Sequence, residues 1–232
     1  DPTAGFGNAD DASAAAQLSR VLRKADFECM DAVGQFNLSF VIARRRSDVP
    51  VQDDLFIVDQ HAADEKYNFE TLQQKTRFAS QRLPEWLELS AADELVAIEN
   101  AEVLKQNGFE IEVHPDGGEG GRRVRLVGWP EHKGTTFEHR DLEELIHLLR
   151  DCPAGTMVRC SRVRAMFAMR ACRMSIMVGH ALSKQNMTAV VRHMASMDQP
   201  WHCPHGRPTM RHLVDISGLR RVSRKVDWKA FG

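Results

Sequence analysis

The stretch VDQHAADEKYNFE, residues 58–70, carries a high density of side chains that bind metals or move protons. It contains two aspartates, two glutamates and a histidine, and it follows the apolar run Leu55–Val58. A helix that begins after this run places His61 and Glu65 on one face, because they are four residues apart. Imidazole and carboxylate are both ligands of divalent transition metals, so the stretch predicts a metal site at the end of a strand.

Two further acids of this stretch are candidates for catalytic roles. Asp59 lies at the strand end, where it contacts the metal or orients His61. Glu70 is nine residues beyond His61, which is about half a turn around an ideal helix, so a regular helix directs its side chain elsewhere. The alternative interpretation is an acidic helix N-terminus, in which Asp59, Asp64 and Glu65 favour the positive end of the helix dipole.

A second group of ligand types lies far downstream, in HCPHGRP at residues 202–208. In extended backbone, Cys203 and His205 would point to the same side and reach one ion. Arg207 would then stand beside the metal, where it can meet a phosphate. The alternative is a proline-rich turn with a buried cysteine.

A third segment, MFAMRACRMSIMVG at residues 166–179, contributes a cysteine and a basic stripe. Cys172 is either a metal ligand or a cysteine of the core. Arg162, Arg170 and Arg173 fall within about a quarter of a turn of one another on an ideal helix. The stripe therefore binds phosphates or pairs with surface acids.

Together these segments supply five candidate metal ligands of mixed nitrogen, oxygen and sulfur type. They are His61, Glu65, Cys172, Cys203 and His205. Thiolate and imidazole favour Zn²⁺, whereas carboxylates also accept Mn²⁺ or Mg²⁺. Five ligands exceed the needs of one tetrahedral ion, so either two ions share them or some act from outside the coordination sphere. Two metals flanked by arginines suit in-line attack on a phosphodiester.

The composition limits the function classes that remain. The formal net charge is −1, so any contact with nucleic acid must depend on local positive charge. The five cysteines have no spacing typical of a disulfide framework, which indicates a reducing compartment. No apolar run has the length that a membrane span needs, and neither peptidase nor deaminase zinc motifs are present.

The hydrophobic periodicity predicts an α+β (mixed α/β) fold. Strands are expected at 35–43 and 54–59 and in EIEVHP and RRVRLVGWP, which flank the loop DGGEGG. Helices are expected at about 62–76, in AADELVAIENAEVLKQNGF, at 140–151, from Ser161 to about Val178 and in NMTAVVRHMASMD. QRLPEWLELS at 81–90 is expected to be irregular, residues 1–17 to be a disordered linker end, and residues 216–232 to form a basic tail.

The quoted motifs resemble those of one known family. DQHAADEKYNFE resembles the DQHA-x2-E-x4-E endonuclease motif of the MutL mismatch-repair family, here with Asp59, His61, Glu65 and Glu70. ACR at 171–173 and CPHGRP at 203–208 resemble its two other metal-site motifs, in the same order. MFAMRACR and PWHCPHGRPTMRHL are close to the eukaryotic Pms subunit of the MutLα heterodimer. The resemblance covers about residues 25–215.

The resemblance implies a C-terminal domain with a sheet-based dimerisation and metal-site subdomain, here 18–83 and 161–232, and an inserted regulatory subdomain, here 84–160. It implies a latent nicking endonuclease that cuts duplex DNA near mismatches. From the ligand types we expect Zn²⁺, as two ions, with Mn²⁺ or Mg²⁺ supporting the cut. The partner would be the other MutL homologue, in the nucleus, and that partner's C-terminus can reach the metal site. The alternative is a non-catalytic, zinc-stabilised assembly module.

The sequence departs from the family pattern at one functional segment. The family often carries a sliding-clamp-binding segment of the form Q-x-L-[IV]-x-P after the DQHA helix. The matching stretch here, Gln81–Pro84, lacks the usual spacing to proline. A sliding clamp is therefore expected as a partner only through a degenerate motif.

Overall fold

The structure is a computed structural model that describes residues 22–48, 51–132, 135–153 and 155–218. Its strands are β1 (Asp31–Phe36), β2 (Phe40–Asp48), β3 (Val51–Asp59), β4 (Ala79–Trp86), β5 (Glu110–Val113), β6 (Val124–Glu131) and β7 (Met210–Asp215). Its α-helices are α1 (Lys24–Cys29), α2 (Gln60–Lys75), α3 (Ala91–Glu99), α4 (Ala101–Gln106), α5 (His139–Arg150), α6 (Ser161–Met174) and α7 (Lys184–Ser196). The predicted linker at 1–17 and most of the tail at 216–232 lie outside the described residues.

Helices and antiparallel sheets occur together, which confirms the α+β class. The chain forms two compact units, one drawn from Asp1–Lys66 and Ile176–Gly232 and the other from Tyr67–Ser175. This division of the chain does not show what either unit does. The division into a dimerisation subdomain and an inserted regulatory subdomain at 84–160 therefore stays a prediction.

The first unit contains a four-stranded antiparallel sheet in the order β1-β2-β3-β7. Alternate residues of β2 and β3 are buried on one face, where α1 and α7 pack. This inner face includes Val41, Ala43, Phe56 and Val58. The period-2 alternation of the sequence therefore corresponds to one covered face and one open face of the sheet.

The strand expected at 35–43 is a hairpin instead, so that prediction was wrong. Asn37 and Leu38, at φ 50° and 48°, reverse the chain between β1 and β2. Leucine is unusual in the left-handed region, and the turn was missed because no glycine marks it. The reversal gives β2 a partner on each side in the sheet, β1 and β3.

The second unit contains the three-stranded antiparallel sheet β4-β6-β5 and the helices α3 to α6. Its core is one apolar cluster built from residues of these elements and from Phe69 of α2. Gly108 ends α4 at φ 86°, and a Cβ there would meet Phe78 and Pro130 at 2.9 Å. Only glycine fits this close approach between the helix end and the sheet.

Three further predictions about the second unit were wrong. Residues 81–90 were expected to be irregular, but β4 extends to Trp86, because Pro84 lies where the β4–β6 pairing shifts between Arg82 and Glu85. The single helix expected across 91–109 is divided into α3 and α4 around Asn100. The helix from Ser161 ends at Met174, not near Val178.

The basic stripe of α6 is paired at its first member. Arg162 Nε donates to Asp141 Oδ2 at 2.9 Å, and its guanidinium also approaches Glu138. These carboxylates raise the pKa of Arg162. Arg170 and Arg173 are exposed. The interpretation as paired surface charge is thus correct for Arg162.

Within the part of the chain that the structure describes, the helices are too short or too polar to cross a membrane.

Candidate metal centre

The end of β3 and the start of α2 are joined without a loop. Asp59, the last residue of β3, accepts a hydrogen bond at its Oδ1 from the backbone N–H of Ala62, at 2.9 Å. One carboxylate oxygen of Asp59 therefore caps the first turn of α2. A direct role for Asp59 in metal binding stays a prediction.

The regular helix α2 places His61 and Glu65 on one face, as their spacing predicts. Both side chains are buried, and Glu65 is only 1% exposed. A ring nitrogen of His61 lies within 4.8 Å of a carboxylate oxygen of Glu65. A carboxylate buried to this degree costs free energy unless hydrogen bonds or a cation compensate for its lost hydration.

The pairing of β3 with β7 brings the downstream ligands to this helix. The two strands are antiparallel, with Met210 opposite Val58. The residue before β7, Thr209, is fully buried, and its carbonyl accepts from the backbone N–H of Asp59 at 2.9 Å. The loop 202–208 therefore arrives at the start of α2, although it lies some 140 residues further along the chain.

The loop 202–208 is a turn, so the prediction of extended backbone between its ligands was wrong. The N–H of Gly206 donates to the carbonyl of Cys203 at 2.9 Å, and the N–H of Cys203 donates to the carbonyl of Arg207 at 2.9 Å. Pro204 fits the second position of such a turn, and Gly206 has a positive φ of 81°. The turn is what brings the ligand atoms of Cys203 and His205 close together.

Three of the predicted ligands converge within the first unit. The ligand atoms of Glu65, Cys203 and His205 all lie within 4.8 Å of one another. Nδ1 of His205 is 2.7 Å from Oε1 of Glu65. Burial and the neighbouring Glu65 raise the pKa of the Cys203 thiol. Glu65 lies next to His61 as well, so three other predicted ligands lie around its buried carboxylate.

The donor set fits a divalent cation of the zinc type. Sulfur, imidazole nitrogen and carboxylate oxygen are the three ligand types that bind Zn²⁺ in proteins, at about 2.0–2.3 Å. Tetrahedral bonds of that length separate ligand atoms by about 3–4 Å, and the ligand atoms of Glu65, Cys203 and His205 lie within 4.8 Å of one another before any ion is bound. Cys203 and Glu65 also acquire a compensating charge when a cation enters.

The remaining predicted residues lie elsewhere along the chain. Cys172 and Glu70 belong to the second unit, on α6 and on the later part of α2, so their participation stays a prediction. Cys172 is half-buried, and Glu70 is buried. Arg207 is exposed in the ligand loop, two residues after His205. Arg173 is exposed on α6.

Sequence reasoning missed two contacts made by the elements that carry or flank these ligands. Asp64 was interpreted only as a helix-dipole residue, but its Oδ2 accepts from the backbone N–H of Ile176 at 2.9 Å. His212 of β7 lies 2.8 Å from Oδ1 of the fully buried Asp54 on β3. Both contacts join positions more than 100 residues apart, so no local signal could have found them.

Comparison with known proteins gives one matching family and close relatives. The family described as the MutL C terminal dimerisation domain matches residues 33–182. The DNA mismatch repair protein PMS1 of Saccharomyces cerevisiae is 49% identical over 219 residues, which cover 92% of this chain and 24% of that protein. The mismatch repair endonuclease PMS2 of Homo sapiens is 47% identical over 202 residues, which cover 86% of this chain and 22% of that protein.

A bacterial relative extends the similarity. The DNA mismatch repair protein MutL of Clostridium acetobutylicum is 31% identical over 208 residues, which cover 87% of this chain and 31% of that protein. The chain spans about a quarter of the length of the yeast and human relatives.

Proposed function

The chain belongs to the MutL C terminal dimerisation domain family, and from that premise we propose that it is a dimerisation and metal-dependent DNA-nicking domain of DNA mismatch repair. The observation that carries the proposal is the convergence of Cys203 and His205 on the buried carboxylate of Glu65. The human relative is named an endonuclease, which agrees with a hydrolytic site. We place this activity in the nucleus.

We propose Zn²⁺ as the resident ion, held by Glu65, Cys203 and His205, with His61 as a further ligand and Cys172 completing a set for two ions. Mn²⁺ or Mg²⁺ would support the cut, because carboxylate oxygens accept these harder cations. When bound, a divalent cation supplies positive charge that polarises a phosphodiester and lowers the pKa of a water molecule.

The side chains of the site have separate tasks in this proposal. Glu65 and the Cys203 thiolate supply the negative charge that retains a cation, and their burial keeps water from competing. His205 remains 48% exposed, so the ligand cluster is open on its side. Arg207, exposed in the same loop, is placed to contact a phosphate by paired N–H donors. Duplex DNA therefore approaches from the side of the loop 202–208.

The open face of the first sheet is the surface that we assign to dimerisation. Apolar pairs run across it, with Phe36 opposite Phe40, Ile42 opposite Ile57 and Leu55 opposite Val214. Arg44 and Arg211 border these pairs, opposite Leu55 and Ile57. Phe36 and Val214 are 60% and 45% exposed. An apolar patch of this kind marks a protein interface, and a second MutL homologue is the occupant that the family description favours.

The chain itself has little charge with which to hold DNA. Its net charge of −1 predicts weak binding to a polyanion, so the dimer partner or another part of the full protein must deliver the substrate. Binding of a sliding clamp through Gln81–Pro84 remains part of the proposal; Leu83 in that stretch is 51% exposed.

A plasmid-nicking assay tests the proposal. The chain is purified in complex with a MutL homologue and incubated with supercoiled plasmid and Mn²⁺. We expect Glu65→Gln to retain the partner and to lose nicking by about 100-fold, because one ligand charge is removed. Glu99→Gln, an exposed glutamate of α3, is the matched control and should nick at the wild-type rate.

A second arm separates assembly from chemistry. Ile42→Glu puts a charge in the middle of the open sheet face, so it should lose the partner while metal binding by the chain persists. Wild-type nicking by Glu65→Gln contradicts the hydrolytic proposal. A wild-type complex that binds zinc and assembles but never nicks supports the alternative, a zinc-stabilised assembly module.

A further inference from the structure

The loop Ile176–His180, which follows α6, is held against the start of α2 by hydrogen bonds from side chains of that helix. The backbone N–H of Ile176 donates to Oδ2 of Asp64 at 2.9 Å. The carbonyl of the same residue lies 2.9 Å from Nδ1 of His61. One peptide segment thus connects an acid of α2 to a predicted ligand of α2, three positions earlier on the same helix.

The contact to the carbonyl determines which ring nitrogen of His61 carries the proton. A carbonyl oxygen only accepts hydrogen bonds, so Nδ1 must be the donor in the neutral ring. In that tautomer Nε2 is the ring nitrogen that carries a lone pair, which is the donor that a metal requires. The position of the Ile176 carbonyl therefore decides whether His61 is prepared as a ligand.

The rest of the loop is fixed by Gln60, the residue between Asp59 and His61. Its side chain is fully buried, and Nε2 lies 3.2 Å from the carbonyls of Met177 and His180 and 3.0 Å from that of Leu38. Gly179 donates its backbone N–H to the same Leu38 carbonyl at 2.9 Å. These bonds fasten the loop to the β1–β2 turn, so that Asp64 has a rigid peptide to orient.

This arrangement also explains why α6 ends where it does. Ser175 adopts an extended backbone with ψ 160°, and the next N–H is committed to Asp64 in place of an intrahelical acceptor. If the helix continued, the backbone N–H and carbonyl of Ile176 would both be used in intrahelical hydrogen bonds. The helix therefore ends early, and the Ile176 peptide is released to contact α2.

We propose that Asp64 is a positioning residue for His61: by holding the Ile176 peptide it keeps Nδ1 protonated and reserves Nε2 for the metal. The inference rests on the proposed metal site. It adds a residue that acts through the backbone and never touches the ion. Outer hydrogen bonds of this kind change metal affinity by about 10- to 100-fold when they are removed.

Zinc affinity of three variants tests the proposal, measured by competition with a chromophoric chelator on the 232-residue chain. Asp64→Ala removes the acceptor and should weaken zinc binding about 10-fold or more. Asp64→Asn removes the same charge but keeps an acceptor oxygen, so it should bind within about threefold of the wild type. Glu28→Ala, an exposed acid of α1, controls for the loss of one negative charge.

The results separate hydrogen bonding from charge. If Asp64→Asn is weakened as much as Asp64→Ala, the residue acts by its charge and the positioning role is overturned. Unchanged affinity in Asp64→Ala overturns it as well. Thermal melting of each variant identifies a folding defect. If Asp64→Ala is misfolded, the test depends on comparing Asp64→Asn with the wild type.

Nitrogen-15 NMR of the histidine rings in metal-free protein makes the test independent of zinc. We expect His61 to be the Nδ1–H tautomer in the wild type and in Asp64→Asn, and to become a mixture of tautomers in Asp64→Ala. If the wild type binds no zinc while Asp64→Ala still changes the tautomer of His61, the metal site is refuted and the positioning contact stands. An unchanged tautomer in Asp64→Ala refutes the positioning role alone.

Discussion

The two units each bury an ionisable side chain almost completely, and they treat it in opposite ways. Arg159 of the second unit is 2% exposed, and its donors reach the carbonyls of Gln73, Thr76 and Gln106 and the amide oxygen of Asn107. Glu65 of the first unit is 1% exposed, and its neighbours are a thiol and two imidazoles. The guanidinium is surrounded by permanent acceptors, whereas the carboxylate is surrounded by groups that can themselves exchange protons.

The difference indicates which buried charge is structural and which is functional. Burial lowers the pKa of Arg159 to about 10, which still leaves it protonated at neutral pH. Its fixed carbonyl partners satisfy that charge in the folded state without any ligand. The lone pairs gathered around Glu65 are of the kind that a cation would accept, which agrees with the proposed metal site. The comparison predicts that removing Arg159 costs stability under all conditions, and that removing Glu65 costs stability only when metal is present.

The largest expected effect is therefore that of Arg159→Met. The change leaves the carbonyls of Gln73, Thr76 and Gln106 and the amide oxygen of Asn107 without this donor, and we expect the free energy of unfolding to fall by about 3–5 kcal/mol. Denaturant unfolding followed by circular dichroism measures it, with and without zinc, and the loss should be the same in both. Arg159→Lys keeps the charge but not the planar fork, so its loss should be smaller. If the free energy of unfolding of Arg159→Met falls by less than about 1 kcal/mol, the structural role of Arg159 is contradicted.

A smaller and conditional effect is expected for Glu65→Gln. Zinc at 100 times its dissociation constant should stabilise the wild type by about 2.7 kcal/mol, and the variant should lose most of this gain. In excess chelator the variant should be as stable as the wild type or more stable, because a buried carboxylate has been replaced by a neutral amide. Differential scanning fluorimetry in zinc and in chelator measures both. Equal destabilisation in the two conditions contradicts the comparison, since Glu65 would then resemble Arg159.

The local part of the metal centre could be predicted from the sequence, and the long-range part could not. His61 and Glu65 share a helix face because four residues make about one turn, and that relation needs no tertiary structure. Cys203 and His205 were identified by ligand type, but their backbone was expected to be extended and is a turn. What brings the two pairs together is the pairing of β7 with β3, and β7 was not predicted as a strand.

The reason why β7 escaped prediction is physical. It is an edge strand, and most of its residues are exposed, so burial imposes no clear alternation on its sequence. Its position depends on pairing with β3 and on the contact between His212 and Asp54, neither of which leaves a local pattern. β4 escaped because Pro84 normally argues against a strand, and an edge strand tolerates it. In both cases the segment is a strand because it pairs with a neighbouring strand, and the local sequence does not indicate that pairing.

The smallest expected effect concerns Asn107, which links Arg159 to its surroundings. Its Oδ1 accepts from the guanidinium at 3.1 Å, and its Nδ2 donates to the carbonyls of Val103 and Val158 at 2.8 and 3.0 Å. Asn107→Ala removes one of several acceptors around Arg159, so we expect a loss of about 1–2 kcal/mol in the free energy of unfolding. Gln106→Ala, which keeps its backbone acceptor, is the control and should cost less.

The double variant Asn107→Ala, Arg159→Met makes the comparison quantitative. If the guanidinium and its acceptors act as one closed network, the double variant should be less destabilised than the sum of the single variants, by about 0.5–3 kcal/mol. Denaturant unfolding of all four proteins gives this coupling energy. Strict additivity would mean that Arg159 does not depend on Asn107. The surroundings of the buried guanidinium would then be a set of separate contacts, and the contrast with the Glu65 centre would lie in charge alone.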